Sequence, residues 1–507
     1  MRVSRSLLGG LARGARGVHS TVNPRISLAE RLFGTGEVFK HDLYKPPPYA
    51  PEPVIEDIPK PDAVKLTELK NGVRVATQDL GGQVSALAIF VDGVSRCENP
   101  ITSGASFVLS KLAFKGSVNR TRVEMLRDME ELTADFSCAA SRECFASSAE
   151  GWRLRAPDML RTIIEATVYP RVLCQPGTPE FDSVRIEMGK MMQLVEQDIK
   201  DMPGKEELAI TAALHDAAYN GDSIGLPVEL DENRFHPPPP EYLRTFVESF
   251  FTGKNIVISA TNVDHDEMVK VTEDMLKSLP AGEKNVKRHP AHYTGGERRI
   301  RMDNTAQVSL GFEGHPWGSD ETAAQSILQI MMGGGGSFSA GGPGKGTCTR
   351  LYSNVIHQYH NIHSANAVNH WYSDTSLFAI NASADPQTLN DTLQVVSDSA
   401  TSMAKAPSAQ ELSRAKNQTK ATMLNTMESH YSLCEDIGRQ VLNSDKYISP
   451  DEFLDRIDKT TAKDIQSVGE KLLSSKPTLV IRGELYNTPT FDKLSNNIAK
   501  GVKSISS

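Results

Sequence analysis

The sequence lacks any stretch approaching the roughly 18 consecutive apolar residues of a membrane span. It also lacks paired cysteines. Its six cysteines (Cys97, Cys138, Cys144, Cys174, Cys348 and Cys434) lie far apart and none forms a C-x-x-C pair. Neither a zinc knuckle nor a dithiol redox motif is therefore indicated, and free thiols in a reducing compartment are the simplest expectation. Positive charge is in deficit: 55 Lys and Arg against 63 Asp and Glu give a formal net charge of −8. That balance argues against nonspecific nucleic-acid binding and for cationic partners.

Basic residues do gather at the start of the chain. Arg2, Arg5, Arg13, Arg16 and Arg25 precede the first acid, Glu30, and Leu7, Leu8 and Leu11 give one apolar face at helical spacing. An Arg-rich, acid-poor, amphipathic start predicts a mitochondrial transit peptide over residues 1–20. Removing four of these arginines would take the net charge from −8 to −12. Residues 21–62, with the run KPPPYAPEPVIEDIPKP, are expected to form a proline-rich extended arm.

A chain of 507 residues is too long for one core. KLTELKNGVRVATQD reads as a strand pair turning at Asn71-Gly72. VSALAIFVDGV is a further strand, and helices are expected at 103–115, 121–132, 156–169 and 179–218. The polar segment 280–301 reads as a linker. After it the pattern returns: QVSLGFEGHPW echoes QVSALAIFVDG, and SLFAINASADPQTLNDTLQVV echoes ECFASSAEGWRLRAPDMLRTI, at an offset near 230 residues. Such self-similarity predicts an α+β chain of two similar domains, 63–279 and 302–507, arising by internal duplication. Each is expected to be an antiparallel sheet covered by helices.

One stretch fits no ordinary element: Gly333, Gly334, Gly335, Gly336, Ser337, Phe338, Ser339, Ala340, Gly341, Gly342, Pro343, Gly344, Lys345 and Gly346. Glycine is unfavourable in helix or strand interiors by roughly 0.5–1 kcal/mol each, so a loop is expected. It is not a phosphate cradle. A P-loop needs G-x-x-x-x-G-K-[ST] after a strand. Here Gly346 follows Lys345, Ser339 stands at the first glycine position, and the preceding TAAQSILQIMM has helical spacing. The remaining reading is a surface loop whose backbone meets another chain.

The glycine-rich stretch followed by RLY resembles the glycine-rich loop of the α-type subunits of mitochondrial processing peptidases, non-catalytic members of the pitrilysin-type metallopeptidases. LKNGVRVATQD, ASFVLSKLAFKGSVNRT, LHDAAYNGDSIGLP and EDIGRQVL resemble further family segments, so the likeness runs from about 65 to 490. The resemblance implies a subunit that binds presequence peptides and partners a zinc-bearing β subunit. In plant-like organisms it also implies a core protein of the ubiquinol–cytochrome c reductase complex, in the mitochondrial matrix or on the matrix side of the inner membrane.

Catalytic relatives carry H-x-x-E-H on a helix, two histidines and a distal glutamate binding Zn²⁺ and the central glutamate acting as base. By alignment on AFKG, the histidine positions fall on Phe107 and Lys111 and the base on Ser110. The distal glutamate falls near Glu196. Catalysis and zinc are therefore not expected of this chain itself. His357, His360 and His363 in IHQYHNIH are spaced three apart but lack a completing carboxylate pattern, and are read as surface and interface histidines. His215 is read as a helix-packing or capping residue.

Overall fold

The computed structural model describes residues 63–506 except 94, 202–204, 229–237, 283–287, 305, 337–345, 445–446 and 487. The expectations for 1–20 and 21–62 lie outside the described residues, as does the stretch from Ser337 to Lys345.

The first half contains β1 (Lys65–Glu68), β2 (Arg74–Gln78), β3 (Val84–Asp92), α1 (Ala105–Leu112), α2 (Arg122–Leu132), β4 (Asp135–Ala140) and β5 (Cys144–Trp152). It continues with α3 (Ala156–Val168), α4 (Pro179–Asp201), α5 (Lys205–Tyr219), α6 (Pro240–Phe250), β6 (Ile256–Thr261) and α7 (His265–Leu276). The second contains β7 (Gly296–Arg301), β8 (Ala306–Gly314), α8 (Thr322–Met332), β9 (Gly334–Gly336), β10 (Ile362–Trp371) and β11 (Ser376–Ala384). It continues with α9 (Leu389–Thr401), α10 (Ala409–Met427), α11 (His430–Ser444), α12 (Pro450–Lys459), α13 (Ala462–Ser474), β12 (Thr478–Gly483) and α14 (Phe491–Ser506).

Two six-stranded sheets result, in the orders β1-β2-β6-β3-β5-β4 and β7-β12-β8-β11-β10-β9. Five strands of each follow the same plan, β2-β6-β3-β5-β4 matching β7-β12-β8-β11-β10. Each sheet then adds one strand, β1 at one edge of the first and β9 at the opposite edge of the second. The duplication and the α+β class expected from sequence are therefore present, with one refinement. The sheets are mainly antiparallel, but β2 pairs with β6, and β7 with β12, in parallel. In each case the later strand enters after a long helical crossover, the connection a parallel pair requires.

Two further corrections follow from edge positions. The expected linker 280–301 ends early, because Gly296–Arg301 is strand β7. Its sequence GERRIR shows no apolar alternation because β7 is an edge strand, largely open to solvent. The glycine stretch is likewise not loop throughout. Gly334, Gly335 and Gly336 pair antiparallel with Asn366, Ala365 and Ser364.

The helices are not divided evenly between the halves. Leu433, Cys434, Ile437 and Val441 of α11 pack on Ala86, Ala88, Phe90 and Val257 of the first sheet. Conversely Ile210, Leu214 and Ala218 of α5 pack on Leu377, Ala379 and Val480 of the second. Each half thus lends one helix to the other's sheet. Fully burying a side chain such as Leu or Ile contributes about 1.5–3 kcal/mol, so these exchanged faces hold the halves together. Close approach needs a small residue: a Cβ on Gly438 would lie 2.2 Å from Cε2 of Phe90.

A buried ionic cluster ties the same halves through the linker. Arg96 bonds Glu143 Oε1 at 2.8 Å, Asp374 Oδ1 at 3.1 Å and the His289 carbonyl at 2.7 Å. Arg288 reaches Asp92 at 3.0 Å and Ser373 Oγ at 2.7 Å.

Candidate functional site

Helix α1 carries Phe107, Ser110 and Lys111, the positions that the sequence resemblance sets against the zinc ligands and base of catalytic relatives. Its first turn is fixed by Glu98, whose carboxylate accepts from Gly104 N at 2.7 Å and Ser106 N at 2.8 Å, satisfying free helix donors. Phe107 and Lys111 lie one turn apart and face each other. The Lys111 ammonium sits 5.4 Å from the centre of the Phe107 ring, a cation–π contact. Ser110 Oγ turns inward and donates to the Phe107 carbonyl at 2.7 Å. Phe107 is part of the first core cluster.

A phenyl ring, a hydroxyl bonded to its own backbone and an ammonium do not fit a zinc ion, which takes thiolate, imidazole or carboxylate. The side chain of Glu196 is outside the described residues. Among those described, no three His, Cys, Asp or Glu side chains gather around a point that could hold a cation. His357 ends a helical turn, and His363 sits on β10, 3.1 Å from Asp385.

His215 is buried in α5. Its Nδ1 donates to the Thr211 carbonyl at 2.7 Å, so Nε2 accepts the Tyr372 hydroxyl at 2.7 Å. Burial holds the imidazole well below its usual pKa, hence neutral. It joins α5 to the segment after β10, a packing role.

The glycine-rich segment leaves the second sheet at α8. Gly333 has φ +57° and Gly334 φ +126°, a region that disfavours side chains. A Cβ on Gly333 would lie 2.4 Å from Thr349 Cγ2, and one on Gly334 would lie 2.0 Å from the Ala365 carbonyl. Gly335 and Gly336 are different. Added Cβ atoms there would meet nothing closer than 3.6 Å and 3.8 Å. The fold demands the first two glycines and leaves the next two free for another purpose.

Sequence reading assigned no role to a cavity of about 610 Å³ between the halves. It is bounded by the β4–β5 turn, the end of β10 and α11. Trp317 and Trp371 meet edge to face in its wall, ring centres 5.5 Å apart. Asp436 of α11 lies where this cavity adjoins a smaller apolar one lined by Met423, Met427 and Phe453. The Asp436 carboxylate accepts from Gln440 Nε2 at 2.8 Å and forms no ion pair among the described residues. Burial pushes its pKa up to about 6. These residues come from separate segments of the chain, and no local pattern marks them.

A carboxyl whose folded pKa exceeds its unfolded value stabilises the fold below about pH 4 and loses that contribution as pH rises to about 6. Asp436→Asn is therefore expected to raise stability at pH 7 by about 1–2 kcal/mol. Denaturant midpoints at pH 4 and pH 7 check it: the gain must appear at pH 7 and vanish at pH 4.

With the geometry in view, comparison with known proteins is informative. Residues 74–232 match the family model "Insulinase (Peptidase family M16)" and residues 239–419 match "Peptidase M16 inactive domain". The chain is 31% identical over 450 residues to the probable mitochondrial-processing peptidase subunit alpha-2 of Arabidopsis thaliana, covering 87% of each. It is 29% identical to the human mitochondrial-processing peptidase subunit alpha, covering 93% of this chain and 92% of that one. A chain of Complex III2 from Candida albicans shares the fold, with TM-score 0.70, 20% identity and coverage of 86% and 100%.

Proposed function

Because the chain belongs to the mitochondrial-processing peptidase α-subunit family, we propose that it is the non-catalytic, client-binding half of a two-chain mitochondrial metallopeptidase. The observation that carries the reading is α1. It keeps the family's helix in place, but a Phe107–Lys111 contact and an inward Ser110 occupy the ligand and base positions. Zinc and catalysis then belong to a β subunit.

The clients are presequences of imported proteins, cationic and amphipathic. Three features support this. The chain is acidic, which speeds encounter with cations. The inter-half cavity offers indole walls and an unpaired carboxylate, Asp436. Gly335 and Gly336 present bare backbone that the fold itself does not require, a surface able to meet an extended peptide with little sequence preference. The matrix is the compartment where such clients arrive.

The experiment is deletion of residues 337–345 in the assembled two-chain enzyme, which leaves β9 intact. Presequence affinity is expected to fall at least about tenfold, a loss of about 1.4 kcal/mol, while assembly and thermal midpoint stay near those of the parent. Unchanged affinity and cleavage in a well-assembled deletion variant would sink the reading. A core role in the ubiquinol–cytochrome c reductase complex is separated on the native preparation by haem spectra, since only that assembly brings cytochromes with the chain.

The isolated chain is also expected to hold no stoichiometric zinc and to leave presequence peptides uncut. Metal analysis and peptide assays on the purified subunit check this. One tightly held zinc per chain together with cleavage would contradict it.

A further inference from the structure

The cavity between the halves and the smaller apolar one beside it share a wall made by Trp317, Asp436 and Gln440. Gln440 sets the position of the acid. Its side chain is held at both ends: Oε1 accepts from Ile448 N at 2.8 Å, and Nε2 donates to Asp436 Oδ2 at 2.8 Å. Asp436 Oδ1 is left with no hydrogen-bond donor among the described residues. The charged neighbours are committed elsewhere. Arg439 pairs with Glu435 at 2.6 Å, Arg456 with Glu452 at 2.9 Å, and Glu143, the other acid of the lining, with Arg96 at 2.8 Å. Arg142 donates from Nε to the Ile224 carbonyl at 2.8 Å. The Tyr447 hydroxyl, buried close to Asp436, is also without a partner among the described residues. Buried hydroxyls rarely lack one, so the fold leaves this spot incomplete.

Aromatic rings flank it. Trp317 meets Trp371 in the wall of the larger cavity and stacks on Phe453 toward the smaller one, ring centres 6.2 Å apart and planes 25° apart. Both indoles are only half-buried, so neither is used up by the core. The junction thus offers a carboxylate oxygen, indole surface and apolar side chains within one space. An occupant that meets all three carries a positive charge on an apolar stem. Arginine does so most completely: its planar guanidinium stacks on an indole while donating in its own plane to a carboxylate, and its methylenes cover apolar surface. Asparagine in place of Asp436 would fill the same volume without a desolvated charge. An acid kept where it destabilises the fold at neutral pH has a use other than folding.

We propose that this junction is an arginine subsite: one arginine of a client peptide enters the inter-half cavity, and its guanidinium donates to Asp436 Oδ1 between the indoles of Trp317 and Trp371. The inference rests on the client-binding reading and places one contact of it on named side chains. Gln440 is the positioning residue, since it holds one carboxylate oxygen and so aims the other. A single cation is read here, not the summed charge of the peptide. The signature is therefore coupling between Asp436 and one particular arginine of the client.

The test uses the assembled two-chain enzyme and a fluorescein-labelled presequence peptide, made uncleavable by N-methylation of the scissile bond and followed by anisotropy. Its arginines are replaced one at a time by citrulline, which keeps the shape and removes the charge. Asp436→Asn is expected to weaken binding of the unmodified peptide about tenfold, the low end for a hydrogen bond to a charged group. One citrulline peptide is expected to bind the parent enzyme more weakly by a similar factor. Combined with Asp436→Asn, that citrulline should cost no more than about twofold further, because both changes remove the same contact. The other citrullines should add their losses in full. Asp436→Asn is also expected to stabilise the fold at pH 7, so weaker binding does not come from a damaged chain. Trp371→Leu removes the ring and keeps an apolar side chain; it is expected to weaken binding about twofold to fivefold. If the asparagine variant fails to assemble, the same coupling is read between Trp371→Leu and the same citrulline. Parental affinity in the variants, or losses that add for every citrulline, would overturn the subsite and leave the function standing, since the peptide still binds. No binding of the peptide to the parent enzyme would overturn both.

Discussion

Arg96→Met is expected to lower folding stability by about 3–5 kcal/mol, the loss that follows when one partner of a buried ion pair is removed. The Arg96 side chain is only 1 % exposed and faces two acids, Glu143 and Asp374. Methionine fills much of the volume but leaves Glu143 desolvated with only Arg288, 3.7 Å away, as a weaker cationic neighbour. The loss should fall on the joint between halves, because Arg96 comes from the first half, Asp374 from the second and the His289 carbonyl from the connecting segment. Denaturant unfolding checks the size. Limited proteolysis near 280–295 checks the place: cutting there should accelerate in the variant. A stability change below about 1 kcal/mol would show that the cluster contributes little beyond its own desolvation.

The second large effect concerns the exchanged helix α11. Gly438→Val places a Cβ 2.2 Å from one atom of the Phe90 ring and 2.5 Å from its neighbour. Phe90 is buried near the C-terminal end of β3, facing α11, so the ring has no solvent to retreat into. Overpacking of this kind is expected to lower stability by about 3 kcal/mol. Phe90→Ala alone leaves a cavity and should lower it by about 3–5 kcal/mol. The informative variant carries both changes. Valine then grows into the space the ring vacated, and the double variant should lose at least about 1 kcal/mol less than the two single losses added. Strict additivity would mean that the helix shifts to accommodate valine and that the Gly438–Phe90 contact does not set its position.

Much of this architecture was legible from local pattern. The Asn71-Gly72 turn is there, with Gly72 at φ +85° and Gly72 N bonded to the Leu69 carbonyl at 2.8 Å. Helices α2 and α3 keep their expected bounds to within a residue, because apolar periodicity and caps such as the Thr121–Glu124 box act within one turn, whereas the single helical region expected over 179–218 is two helices, α4 and α5. The duplication showed because strand and helix patterns recur in register. Strands β7 and β9 escaped notice for one shared reason. An edge strand needs partners on one side only, so its sequence can be polar, as in GERRIR, or bare, as in Gly334–Gly336. That Phe107, Ser110 and Lys111 carry no zinc-ligand chemistry was legible from their residue types. The new contact among them was not, since it depends on rotamers. Nor could the exchange of α5 and α11 be read: each has the apolar face of any packed helix, and periodicity says nothing of which sheet receives it. Asp436 and Trp317 acquire their significance only from neighbours distant in sequence.

The exchange of helices also bears on how the chain is made. All six strands of the first sheet have emerged by Thr261, but the helix that covers its outer face starts at His430. Whether the chain is delivered N-terminus first by a ribosome or by import across a membrane, that face waits for α11 before it is covered. During the interval Ala86, Ala88, Phe90 and Val257 form an uncapped apolar surface, a binding site for holdase chaperones and a starting point for aggregation. Truncated chains ending before α11 should accordingly be recovered with chaperones or in inclusion bodies, and the full-length chain should not.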